Sequence, residues 1–179
     1  MIRCRGAIFL AAAFAATLAK TPSARSIEPN VFIQPNISAA KIVEDKNRYL
    51  VDIAISATDM ERMFQNSGGE RVGIDLSQPG ALEREIGRFV ENRVTMRGNN
   101  GAVCARRVER AGEDPTNDEG VLVVLRFECE GANAIYDATK LLATQGPRAW
   151  QVVTIIRGDA TRRVMINGEN SSVALSEAQ

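Results

Sequence analysis

The chain contains no histidine. Ser-His-Asp and Cys-His nucleophile systems, histidine-ligated zinc and imidazole acid–base catalysis all need a ring nitrogen that titrates near neutrality, so most hydrolase templates are excluded together. Cysteine is scarce, three in 179 residues, and no two stand at the Cys-x-x-Cys spacing of redox or metal motifs. No long apolar run is present. The longest uncharged stretch, Gly6 to Ala19, has 14 residues, against the 18 or more of a spanning helix. Neither sign of charge dominates, with 22 Lys and Arg against 22 Asp and Glu.

That short stretch is informative. Arg3 and Arg5 precede GAIFLAAAFAATLA and the polar TPSARS follows, the order of a removable export signal over residues 1–26. Ala24-Arg25-Ser26 fits the small-x-small rule for cleavage after Ser26, with Ala19 as the competing site. Cys4 lies ahead of the stretch, so no lipid anchor follows from it. The expected address is periplasmic or extracellular, with no membrane span after cleavage. Without its four basic residues the chain carries 18 Lys and Arg against 22 Asp and Glu, about −4. Nucleic acid is excluded as a partner, because the only basic cluster is Arg106, Arg107 and Arg110. Residues 27–170 are expected to form a single β-rich domain and 171–179 a flexible tail. The two remaining cysteines, Cys104 and Cys129, are expected to form a disulfide in an oxidising compartment.

Alternation supplies most of the structural signal. In YLVDIAIS, Tyr49, Val51, Ile53 and Ile55 share one face of a strand, and in GVLVVLRFECE, Val121, Val123, Leu125, Phe127 and Cys129 do the same. A first strand is expected near 37–43, others at 93–97, 102–109 and within 134–142, and a 150–157/161–167 hairpin turns at Gly158-Asp159-Ala160. Thr58 to Glu61 reads as a capping box that opens a short helix ending at Gly68-Gly69. Residues 70–76 read as a short strand or lead-in. After Ser77 and Pro79 an amphipathic helix carries Leu82, Ile86, Phe89 and Val90 on one stripe. Residues 111–119 are expected to be a polar loop. Together these pieces predict an antiparallel β-sandwich, immunoglobulin-like, with one inserted amphipathic helix, and the alternative is an α+β sheet with the helix on one face.

YLVDIAISATD (Tyr49 to Asp59), the helix ending before VTMRGNNGAVC (Val94 to Cys104), and VLVVLRFECEG (Val121 to Gly131) resemble the exported N-terminal domain of extended HupE/UreJ-like hydrogenase and urease accessory proteins. The resemblance implies an accessory or recognition module, placed in that family ahead of a membrane part associated with nickel or cobalt uptake. The chain departs from the pattern twice: no membrane helices follow, and GGERVGIDLSQPG (Gly68 to Gly80) replaces an acidic stretch before the helix. No metal ligand carries over.

Met60 and Met63 form an MxxM pair of the kind that holds Cu(I), but alone they supply too few ligands, and Phe64 on the same stripe points to core packing. Arg157-Gly158-Asp159 spells an adhesion tripeptide in a place where turn geometry already asks for Gly and Asp. Glu113, Asp114, Asp118 and Glu119 lack a calcium-loop pattern. Asp52 and Asp59 are a candidate carboxylate pair for sugar hydrolysis, and Trp150 is expected to fill the core. No catalytic residue and no cofactor is implied. The expected function is a non-enzymatic exported binding or accessory domain whose partner is a protein of the same compartment. The alternatives are a carboxylate-only enzyme acting on cell-wall sugars and a periplasmic metal chaperone.

Overall fold

The structure is a computed structural model that describes residues 35–67, 78–131 and 133–176. The export signal, the Gly68-Gly69 stop, the short segment at 70–76 and the Ser77 helix start fall outside these residues. Strands β1 (Ile37–Asp45), β2 (Arg48–Ser56), β4 (Ala105–Asp114), β5 (Asn117–Glu128), β7 (Trp150–Arg157) and β8 (Ala160–Asn167) form one sheet in the order β4-β5-β2-β1-β7-β8. Strands β3 (Thr95–Arg97), β6 (Ile135–Asp137) and β9 (Ser172–Ala174) form a second, in the order β3-β6-β9. The fold is mainly β, with two packed sheets.

The large sheet is sided because β2 and β5 alternate. Tyr49, Val51, Ile53, Val123, Leu125 and Phe127 are fully buried on its inner face, each contributing about 1.5–3 kcal/mol by leaving water. The inner face carries helices α1 (Ala57–Asn66), α2 (Ala81–Glu91) and α3 (Thr139–Gln145) together with the small sheet. Helices α1 and α2 stand where the short helix and the amphipathic helix are expected, α3 is additional, and β1 pairs with β7 in parallel, so the large sheet is mixed. Within the β-rich class, this second layer corresponds to the α+β alternative.

Local chemistry explains where the elements begin. Strand β2 passes into α1 with no intervening loop, and the Ser56 side chain accepts the Asp59 amide at 3.0 Å. The cap is therefore Ser56, two residues before the expected Thr58. Helix α2 follows Gly80, whose φ of 71° suits glycine, and packs on β4 at Gly87. A Cβ there would stand 2.9 Å from Val108 Cγ1, so the close approach requires the missing side chain. Ile86, Phe89 and Val90 are buried as expected, but Leu82 is 48% exposed. It shares their azimuth yet lies in the first turn, at the free end of the helix.

Three further expectations change. Residues 111–119 are the tip of the β4/β5 hairpin: Asp114 ends β4 and its Oδ1 accepts the amide and hydroxyl of Thr116, closing a turn between paired strands. The strand expected within 134–142 is only β6, because the Asp137 carboxylate takes the amide and hydroxyl of Thr139 and starts α3, which buries Leu141 and Leu142. The tail expected from 171 holds β9, whose Val173 is buried, and Leu175 donates to Ala134 O at 2.8 Å.

The disulfide Cys104–Cys129 is present, with a Cα separation of 4.5 Å. It lies one residue beyond the Ala105/Glu128 pair that ends the β4/β5 ladder. Cys104 also donates to Met96 O of β3, and Cys129 to Asn47 O in the β1/β2 turn. The covalent link therefore closes the root of the hairpin, and the backbone bonds of its two cysteines tie that root to β3 and to the β1/β2 turn.

Candidate functional site

A chain of buried polar side chains runs through the inner layer. Tyr136 Oη donates to Gln151 Oε1 at 2.9 Å, Gln151 Nε2 to Ser38 Oγ at 3.3 Å, Ser38 Oγ to Gln145 Oε1 at 3.4 Å, and Gln145 Nε2 to Asp59 Oδ2 at 3.0 Å. Every link donates toward the Asp59 carboxylate, which is fully buried. Asn36 N adds a bond to Oδ2 at 2.8 Å, and Arg62 pairs with Oδ1. Asp59 thus meets its charge requirement with one cation and two neutral donors, as burial of a carboxylate demands. The chain joins α1, β1, α3, β7 and β6. Ser38, the one hydroxyl midway along it, has amides for side-chain neighbours and no base to activate it. Burial raises the Tyr136 pKa, so its hydroxyl stays a proton donor.

The outer face of the large sheet differs. Its middle row runs Arg110, Val124, Asp52, Lys41, Thr154 and Arg163 across β4, β5, β2, β1, β7 and β8. Partial burial raises the Asp52 pKa, and Lys41 and Arg110 oppose that shift. To one side of it lie Leu122, Ala54, Ala39, Val152 and Met165, with Trp150 one row further out, and to the other Arg126, Leu50, Val43 and Ile156. Three of these apolar residues are open to solvent: Leu50 at 38%, Trp150 at 39% and Met165 at 56%. Among the described residues the helices and the small sheet all lie on the opposite face. Trp150 therefore does not fill the core. In WQVVTIIR both alternating phases are apolar, and pairing with Ile37 and Asn167 sets Trp150 on the outer phase with Val152, Thr154 and Ile156.

The remaining candidates are scattered. Asp52 and Asp59 lie on opposite sides of the large sheet and flank no common site. Met60 and Met63 are 3% and 0% exposed in the core, Met63 among the largest fully buried side chains. Arg157 is engaged with Glu44 on the neighbouring strand, while Gly158 at φ 56° makes the turn. Of the arginine cluster, Arg107 shares Glu109 with Arg126 at 2.6 and 2.9 Å. Among the described residues, no group of three or more Cys, Asp or Glu converges as a metal site. The sequence pattern points to Asp59 but not to Ser38, Gln145 or Gln151. A signal existed for two of them, since Ser38 and Gln151 occupy the apolar phase of strands whose neighbours in phase are Ala40, Ile42, Val153 and Ile155.

No protein-family model matches the chain, and no curated protein matches it either.

Proposed function

We propose that this chain is an exported, non-enzymatic binding or accessory domain that meets a protein partner through the outer face of its six-stranded sheet. The observation that carries the reading is the exposure of Trp150 and Met165 on a face that no described element covers. Aromatic and methionine side chains on a face that also carries charged residues are the composition of an interface core with a polar surround. The side chains linked from Tyr136 to Asp59 serve one another, and Ser38 has no base beside it. A disulfide and the absence, among the described residues, of any helix long and apolar enough to cross a membrane are compatible with export. The resemblance of the strands around Tyr49–Asp59 and Val121–Gly131 to the exported domain of HupE/UreJ-like proteins favours an accessory role.

The test is photo-crosslinking in the producing cell, with a photoreactive residue at Trp150 or Met165 and, as control, at Pro115 on the hairpin tip. A discrete adduct outside the cytoplasm from the first two positions and none from the third is the expected result. Equal adducts at all three positions, or release of reducing sugar from cell-wall glycan by the purified protein, would overturn it.

A further inference from the structure

We propose that the cleft between the end of α2 and helix α3 binds a carboxylate, carried either by a small free acid or by an acidic peptide segment. The cleft is shallow and open to solvent, about 370 Å³ in volume, and is lined by Asn92, Arg93, Lys140, Ala143 and Thr144. Its floor is organised before any ligand arrives. The Arg93 guanidinium lies 3.5 Å from the centroid of the Phe89 ring, a cation–π stack that fixes its plane. Arg93 Nε donates to Thr144 Oγ1 at 3.2 Å, and Nη1 donates to Phe89 O at 3.0 Å, a carbonyl in the last turn of α2. Thr144 Oγ1 is itself held by donating to Lys140 O at 2.7 Å.

These bonds use two of the five guanidinium donors, Nε–H and one on Nη1, and leave both Nη2 donors to meet a carboxylate. Lys140 stands on the same rim. Arg106 on β4 stands behind Asn92, its Nη1 donating to Val94 O at 3.1 Å and its Nη2 to Asn92 Oδ1 at 3.5 Å. Among the described residues no carboxylate pairs with Arg93, Lys140 or Arg106, whereas Arg107 and Arg126 nearby share Glu109. Burial lowers the Arg93 pKa, a sign of lost hydration that an anion in the cleft would compensate. This site is separate from the outer sheet face and stands or falls independently of it.

The experiment is an NMR titration of the purified, 15N-labelled protein at constant ionic strength with succinate, with an N-acetylated, C-amidated Glu-Glu dipeptide, and with inorganic phosphate. The expected result is saturable movement of the Asn92, Ala143 and Thr144 amides with at least one of the two carboxylate probes, and weaker binding of phosphate. Saturation by succinate alone assigns a free small acid, and saturation by the dipeptide assigns an acidic segment of a partner. Lys140→Gln, at an exposed position, should weaken the binding about tenfold, the effect of losing one charge-assisted hydrogen bond. Arg163→Gln on β8 should change nothing. Phosphate binding as tight as that of the carboxylates, or a Lys140→Gln protein that binds like the parent, would overturn the proposal.

Discussion

Two aspartates seven residues apart show how differently the two faces of the large sheet treat charge. Asp59 points inward, fully buried, and five groups organise around it: Ser56 through its amide, and Asn36, Arg62, Gln145 and, through Gln145, Ser38 through its carboxylate. Asp52 sits on the outer face with Lys41 across the strand pair and Arg110 two strands away. The inner carboxylate is structural, because several elements depend on its acceptors. The outer one is tolerated, because partial burial costs its charged form more than its neighbours return.

The sharpest way to break this contrast is Asp59→Ala. It strands the amide of Asn36, the Gln145 side chain and Arg62 at once, and the expected loss is about 4 kcal/mol, or a drop in Tm of about 12 °C. Thermal melts followed by circular dichroism measure it, and a variant within 1 kcal/mol of the parent would show that the buried chain is dispensable.

The disulfide comes next. It closes 25 residues, and releasing that loop is worth about 3.5 kcal/mol on the chain-entropy model. Reduction, or the Cys104→Ala, Cys129→Ala double substitution, should lower Tm by about 10 °C. Because the link anchors the root of the β4/β5 hairpin, hydrogen exchange should accelerate first in β3 and at the root of that hairpin. Unchanged melting after verified reduction would refute the structural role.

The smallest effect belongs to Asp52, and its sign is opposite. A folded-state pKa raised above the unfolded value means that the native state binds the proton more tightly, so stability falls as pH rises through the carboxylate range. Asp52→Asn should therefore raise the urea midpoint at pH 7, and the gain should disappear below about pH 3, where the carboxyl is protonated in both states. A loss of stability at pH 7, or a difference that ignores pH, would mean that the Lys41 pairing outweighs burial.

Much of the scaffold was legible in the residues. The alternation in Tyr49–Ile55 and Val121–Phe127 predicted two buried strand faces, and both occur. The Ile86, Phe89 and Val90 stripe predicted a helix against the sheet, and the cysteine count predicted one bridge. The hairpin tip at 111–119 was hidden because backbone pairing sustains a ladder there without apolar side chains. Helix α3 was hidden because a seven-residue helix offers too few turns for its period to show. The candidate sites were less legible still. Trp150 has apolar neighbours in both phases of β7, and neither Arg93 nor Lys140 belongs to any motif.

The sequence by itself determined which strand faces avoid water, where the best helix lies and which two cysteines were left to join, since periodicity and composition act within a segment. Only the tertiary structure decided that β1 lies parallel to β7, that Ser38, Gln145 and Gln151 complete a chain to Asp59, and that Trp150 faces out. Those outcomes depend on pairs such as Ile37 with Trp150 and Asp59 with Gln145, 113 and 86 positions apart. No local pattern encodes a partner at that distance. Register, layer and hydrogen-bond satisfaction were settled together when the elements packed.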